Sequence, residues 1–143
     1  MTQEDKELLL KDLCARLPYN VICQVEFKEN GKYNSKVMLL SGIFTDEAYF
    51  TTKGGSIYSN KYKPYLFPLS SMTSEQLFEV QEILGKNEIE IEDGFLRIVD
   101  SDRNTISYLE ILALLEWFYK NHFDINGLIE KGLAIDATGL NIY

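Results

Sequence analysis

The chain opens on a polar run that turns one-sided within two helical turns. Leu9, Leu10, Leu13, Cys14 and Leu17 recur at i, i+3 and i+4 spacing, the period of a helix with one apolar face. Thr2 can cap that helix, which runs to about residues 13–16, and Pro18 marks its end. The stripe predicts a docking face for a sheet.

From residue 20 to 60 the pattern shortens to that of strands. Asn30-Gly31 is a turn signal between apolar-alternating runs at 21–28 and 33–40. Two registers compete. A two-residue loop pairs Val25 with Lys36; a three-residue loop pairs Val25 with Val37, Cys23 with Leu39 and Glu26 with Lys36. A one-residue slip moves every side chain to the other face, and the second register matches apolar with apolar. Further short strands are expected near 41–45, 48–52 and 56–58, broken by Asp46-Glu47 and Gly54-Gly55. So many short strands suggest a small, strongly bent antiparallel sheet, in the limit an SH3-like barrel.

Pro64 and Pro68 make residues 62–69 extended, and a proline-bearing segment is not expected inside a sheet. Thr73 and Gln76 form a capping box for a helix over 74–84 that stops at Gly85. Asp93-Gly94 then joins 88–92 to 95–99 in a hairpin that pairs Ile91 with Leu96, Ile89 with Ile98 and Glu90 with Arg97. Ser107 and Glu110 form a further capping box before residues 108–120. Apolar side chains lie nearly all round that last helix, which predicts a central, buried element. A helical turn near 128–131 is expected in an otherwise irregular tail. The fold class is therefore α+β in a single domain over residues 1–143: an N-terminal helix, a small antiparallel sheet, two further helices and a second β-hairpin.

Charge narrows the choice of partners. The 143 residues carry a net charge of −8, which opposes binding to duplex DNA or an anionic membrane. The longest apolar run, residues 111–115, is far shorter than a membrane span, and the acidic N-terminus does not read as a signal peptide. A cytoplasmic location follows, in which Cys14 and Cys23 are free thiols.

Candidate chemistry is sparse. His122 is the single histidine, placed just after a helix where an imidazole can bond the last carbonyls. Asp100, Asp102 and Asn104 begin like a calcium loop, but Thr105 replaces the required glycine and Ile111 the bidentate glutamate. Glu88, Glu90 and Glu92 alternate on one strand, as on a solvated sheet face. No nucleotide-binding loop, nucleophile elbow or metal-binding Cys/His cluster occurs, so no cofactor, metal or catalytic residue is assigned.

One stretch departs from the rest. Residues 48–74 hold no acidic side chain but contain Lys53, Lys61 and Lys63; that +3 leaves −11 on the remainder of the chain. Tyr49, Tyr58, Tyr62 and Tyr65 interleave with the lysines. The candidate partner-binding set is Tyr58, Lys61, Tyr62, Lys63, Tyr65 and Phe67. Three function classes compete: a non-catalytic protein that binds a protein partner there, a binder of single-stranded nucleic acid using the same residues, and an enzyme using Cys23 or His122. The missing catalytic motifs put the first of these ahead.

Three segments carry a resemblance: Leu13-Cys-Ala-Arg-Leu-Pro-Tyr19, Lys63-Pro-Tyr-Leu-Phe-Pro-Leu-Ser-Ser-Met-Thr73 and Asn121-His-Phe-Asp-Ile-Asn-Gly-Leu-Ile-Glu-Lys-Gly-Leu-Ala134. They resemble uncharacterised small proteins of gut anaerobic bacteria and their phages or prophages. The resemblance implies a phage-linked accessory protein and carries no activity. Arginine is usual in those proteins where this chain has Phe67 and Asn126, so any acidic group those arginines bind loses that contact here.

Overall fold

The computed structural model describes residues 1–44, 47–85, 88–93, 95–99 and 107–143. In chain order its elements are α1 (Gln3–Arg16), β1 (Ile22–Glu29), β2 (Lys32–Ile43), β3 (Ala48–Thr52), β4 (Gly55–Ser59), β5 (Tyr62–Leu66), α2 (Ser74–Ile83), β6 (Glu88–Glu92), β7 (Phe95–Val99), α3 (Tyr108–Lys120) and β8 (Ile135–Asp136). The fold is α+β. Among the described residues no helix is long and apolar enough to cross a membrane.

A complete capping box starts α1: Asp5 N donates to Thr2 Oγ1, and Thr2 N donates to the Asp5 carboxylate. Its inward face is narrower and more polar than the leucine stripe predicts. Leu9, Asp12, Leu13 and Arg16 are buried, whereas Leu10 and Cys14 are exposed. The ion pair of Asp12 with Arg16, one turn apart, takes the place expected of Leu10 and Cys14 in the seam, while Leu17 packs half-buried against the core.

Six strands form an open, mostly antiparallel sheet in the order β4-β3-β2-β1-β5-β8. The β1–β2 loop is the two-residue one. Asn30 and Gly31 both have positive φ, which the primed hairpin turn requires, and Val25 pairs with Lys36 and Cys23 with Met38. The three-residue register is thus overturned. Residues 37–40 are apolar without a break, so their pattern fixes no parity, and the turn decides it. Cys23, Val25, Met38 and Leu40 face the core, while Val37 stands half-exposed outside. No separate strand starts at residue 41: β2 runs on to Ile43 through a bulge between Leu40 and Gly42, and residues 45–46 lie outside the described residues.

The sheet does not close into a barrel. Among the described residues β4 has no ladder partner on its outer side; its end comes close to β1, where Ser59 Oγ donates to Glu26 O at 2.6 Å. The proline-bearing segment also differs from expectation, because β5 lies inside the sheet between β1 and β8. Its ladder with β1 bonds through Lys63, opposite Gln24, so the nitrogen of Pro64 points the other way. On that side the parallel β8 ladder begins only at Tyr65, and no hydrogen bond is lost.

Both later capping boxes form as expected, at Thr73/Gln76 and Ser107/Glu110. The β6–β7 register pairs Glu90 with Arg97 and Ile91 with Leu96, although Arg97 makes its ion pair diagonally, with Glu92 at 3.8 Å. Gly94 of that turn and the Asp100, Asp102 and Asn104 motif lie outside the described residues. Helix α3 is not a buried rod. Leu114 and Phe118 alone are fully inside, while Tyr108 and Leu109 are 73% and 75% exposed and Ile111, Leu112 and Leu115 also reach solvent. It lies against one side of α2, where Trp117 Nε1 donates to Glu79 at 2.9 Å, and no second layer covers its far side among the described residues.

Two apolar clusters result. The larger joins α1, the inward sheet face and Leu128, Leu133 and Ala134 of the tail; the smaller joins α2, α3, Leu69 and Phe123.

Candidate functional site

The six predicted partner-binding residues separate into three environments. Tyr58 is 56% exposed, with its ring 4.9 Å from Tyr49 and 5.9 Å from Phe44 on the outer sheet face. Lys61 and Lys63 are exposed as well. Tyr62 is half-buried against Phe50, 5.1 Å between centroids, and belongs to the larger core. Tyr65 is buried, and Phe67 packs between Phe123 and Tyr143 at about 6 Å from each. Position in the sheet explains the division: β5 lies inside it, so its aromatic residues serve the fold, and β4 is an edge whose Tyr58 faces water.

The exposed members border two grooves. Residues 26–36 of the β1–β2 hairpin project past the ends of β3 and β5 and overhang the β3–β4 hairpin. Between them runs an open groove of about 790 Å³, with Tyr33, Lys28 and Lys36 on one wall and Ser56, Tyr58 and Lys61 on the other. The lysines are held on aromatic faces: Lys61 Nζ lies 5.0 Å and Lys28 Nζ 5.9 Å from the Tyr33 ring centre, and Lys36 Nζ 5.3 Å from that of Phe27. Lys63 looks instead into a second groove of about 1050 Å³, bordered by Lys6, Leu9 and Leu10 of α1, and Lys61 stands between the two. Sequence reasoning missed Lys28, Tyr33 and Lys36, because Glu26 and Glu29 offset most of the lysine charge of that stretch. A basic–aromatic alternation over 27–36 was the signal available.

Behind the sheet lies a polar knot of another kind. Arg16 is fully buried; its Nε and Nη2 bond the Asp12 carboxylate, Nη2 also donates to Phe123 O at 2.7 Å, and its guanidinium lies 5.0 Å from the Tyr119 ring centre. Asn126 Nδ2 donates to Asp12 Oδ1 at 2.8 Å. Asp124 accepts from Leu128 N and Ile129 N, which starts the helical turn of the tail. The knot ties α1 to residues more than a hundred positions away, which is an architectural task.

His122 borders this knot and bonds no helix carbonyl through its ring. It sits at φ +61°, stacked on Tyr143 at 3.7 Å, with Nδ1 buried and without a hydrogen-bond partner among the described residues. Burial, with the nearby Arg16 charge, pushes its pKa down to about 4, so the ring is neutral at pH 7. The Tyr143 hydroxyl bridges two strands, accepting from Ile22 N and donating to Tyr65 O at 2.7 Å.

Cys23 is fully enclosed, and burial raises its thiol far above the ordinary range. A thiolate nucleophile needs the opposite environment. Native-state alkylation is expected to modify Cys14 rapidly and Cys23 only on unfolding, at least a hundredfold slower, as counted by mass spectrometry over time. Equal rates would place Cys23 at an accessible site. No family model, curated protein or solved structure matches this chain.

Proposed function

We propose that this protein is a non-catalytic binding protein that engages a protein partner through the groove between the β1–β2 arm and β4, with Tyr58 and Lys61 at its rim. The observation that carries the reading is the cluster of tilted rings beside an open groove, in which Phe44 and Tyr58 are exposed and Tyr49 is half-buried. Large aromatic rings held rigidly in solvent lose little entropy on binding and make strong anchors. The resemblance of three segments to phage-linked proteins supports an accessory role in a phage or prophage setting.

Single-stranded nucleic acid is the competing ligand, since lysines on tyrosine faces suit a stacked base. The groove wall argues for polypeptide. Its lysines, Lys28, Lys36 and Lys61, are matched by Glu26, Glu29 and Glu47, which leaves no net charge to release counterions from a phosphate chain.

The test is affinity purification of the tagged protein from its own cells, at low and high salt and with nuclease, beside a Tyr58→Ala/Lys61→Ala variant. Both side chains are exposed, so the variant should melt within a few degrees of the parent. A protein recovered after nuclease, and reduced at least tenfold in the variant, is the expected result. Nucleic acid recovered only at low salt would replace the reading with the competing one.

A further inference from the structure

The sheet fails to close between β1 and β4, and main-chain groups on both sides of that gap meet no strand among the described residues. Successive residues of an antiparallel strand send their N–H and C=O to opposite sides. The two-residue loop makes Glu29 and Lys32 a bonded pair, so β1 turns residues 22, 24, 26 and 28 away from β2. The first three are answered. Ile22 N donates to the Tyr143 hydroxyl, Gln24 pairs with Lys63, and Glu26 N donates to Lys61 O at 2.9 Å. Lys28, next in the series, has no strand opposite among the described residues.

The same reasoning applies to β4. Thr52 and Gly55 close the two-residue Lys53-Gly54 loop, so Gly55, Ile57 and Ser59 bond β3 while Ser56 and Tyr58 turn their main-chain groups to the free edge. Lys28, Ser56 and Tyr58 all line the one groove.

We propose that this gap receives an extended segment of the partner protein, which adds to β4 as one more strand by pairing its main chain with Ser56 and Tyr58. The proposal rests on the protein-binding reading above and gives its mode. A β-strand presents N–H and C=O to one side every second residue, about 6.8 Å apart, which is the spacing of Ser56 and Tyr58. Natural sheet edges are blunted by lysine, proline or a bulge. Strand β4 reads Gly-Ser-Ile-Tyr-Ser and carries none of these. The balanced wall charges leave main-chain pairing as the main source of recognition.

The test uses random dodecapeptides displayed on phage, panned on the native protein, with the enriched peptides then made synthetically. Each is methylated on one backbone nitrogen at a time and titrated by calorimetry. Methylation at alternate positions is expected to weaken binding at least tenfold, with the positions between tolerated. Ser56→Pro removes an outward N–H without touching the β3 ladder, and should weaken binding equally, while Ser56→Ala should not. Uniform tolerance of methylation, or full binding by a folded Ser56→Pro protein, would overturn strand addition. If that same peptide is still lost in Tyr58→Ala, the protein-binding surface stands without it. Recovery of no peptide above background would overturn the proposal and leave the surface to be judged by the purification above.

Discussion

Asp12→Ala is expected to cost about 3–5 kcal/mol of stability, the amount typical of removing one partner from a buried ion pair. The Asp12 carboxylate holds two nitrogens of Arg16 and the amide of Asn126, so its loss leaves a buried guanidinium with Phe123 O as its remaining hydrogen-bond acceptor. For a domain of this size the melting temperature should fall by roughly 10 °C or more. The cause can be separated from lost packing. Asp12→Ala/Arg16→Met removes both charges and fills the volume with an apolar chain, so it should recover much of the loss. Chemical denaturation of the parent, both single variants and the double variant measures the coupling. A double variant as unstable as the sum of the singles would show that the two residues act independently.

Acid should destabilise the fold through His122. Its pKa is near 4 in the folded chain and about 6.5 when unfolded, so the native state favours the neutral ring. Above pH 6.5 both states are neutral and the stability is complete. As pH falls toward 4 the unfolded chain takes up a proton that the folded chain does not, and stability declines by up to 1.36 kcal/mol per pH unit. The loss reaches about 2 kcal/mol by pH 5. His122→Asn suits the test, because asparagine tolerates the positive φ at this position. Urea midpoints at pH 7 and pH 5 should separate for the parent and converge for the variant, apart from the carboxylate titrations common to both. Equal pH dependence in the two proteins would show that His122 is not held neutral.

Local chemistry made much of this fold legible, and long-range chemistry hid the rest. Thr2, Thr73 and Ser107 each cap a helix as their own neighbourhoods dictate, and the β6–β7 register follows from alternation around Asp93. The β1–β2 register was misread because four consecutive apolar residues have no parity. The burial of Arg16 depends on Phe123, far along the chain, and no window around Arg16 contains it. Helix α3 was misread for a complementary reason: an apolar sequence shows a capacity for burial, and the neighbours decide whether it is used. At the site, charge and aromatic spacing picked out six residues without dividing core from surface, and the structure leaves Tyr58, Lys61 and Lys63 exposed. Tyr62, Tyr65 and Phe67 needed the strand order, which composition does not encode. The opposing wall came from a stretch whose glutamates offset most of its lysine charge.

The polar knot also bears on the order in which the molecule assembles. Strands β1 to β4 form a meander of successive hairpins, each closing a short loop, whereas Arg16 and Phe123 are 107 positions apart and Ile22 and Tyr143 are 121 apart. Loop-closure entropy favours the short pairings first and leaves the seam between α1 and the tail to form late. Interactions absent from the transition state govern how fast a protein falls apart more than how fast it folds. The buried arginine therefore acts as a clasp, setting the lifetime of the native molecule rather than the speed of its formation.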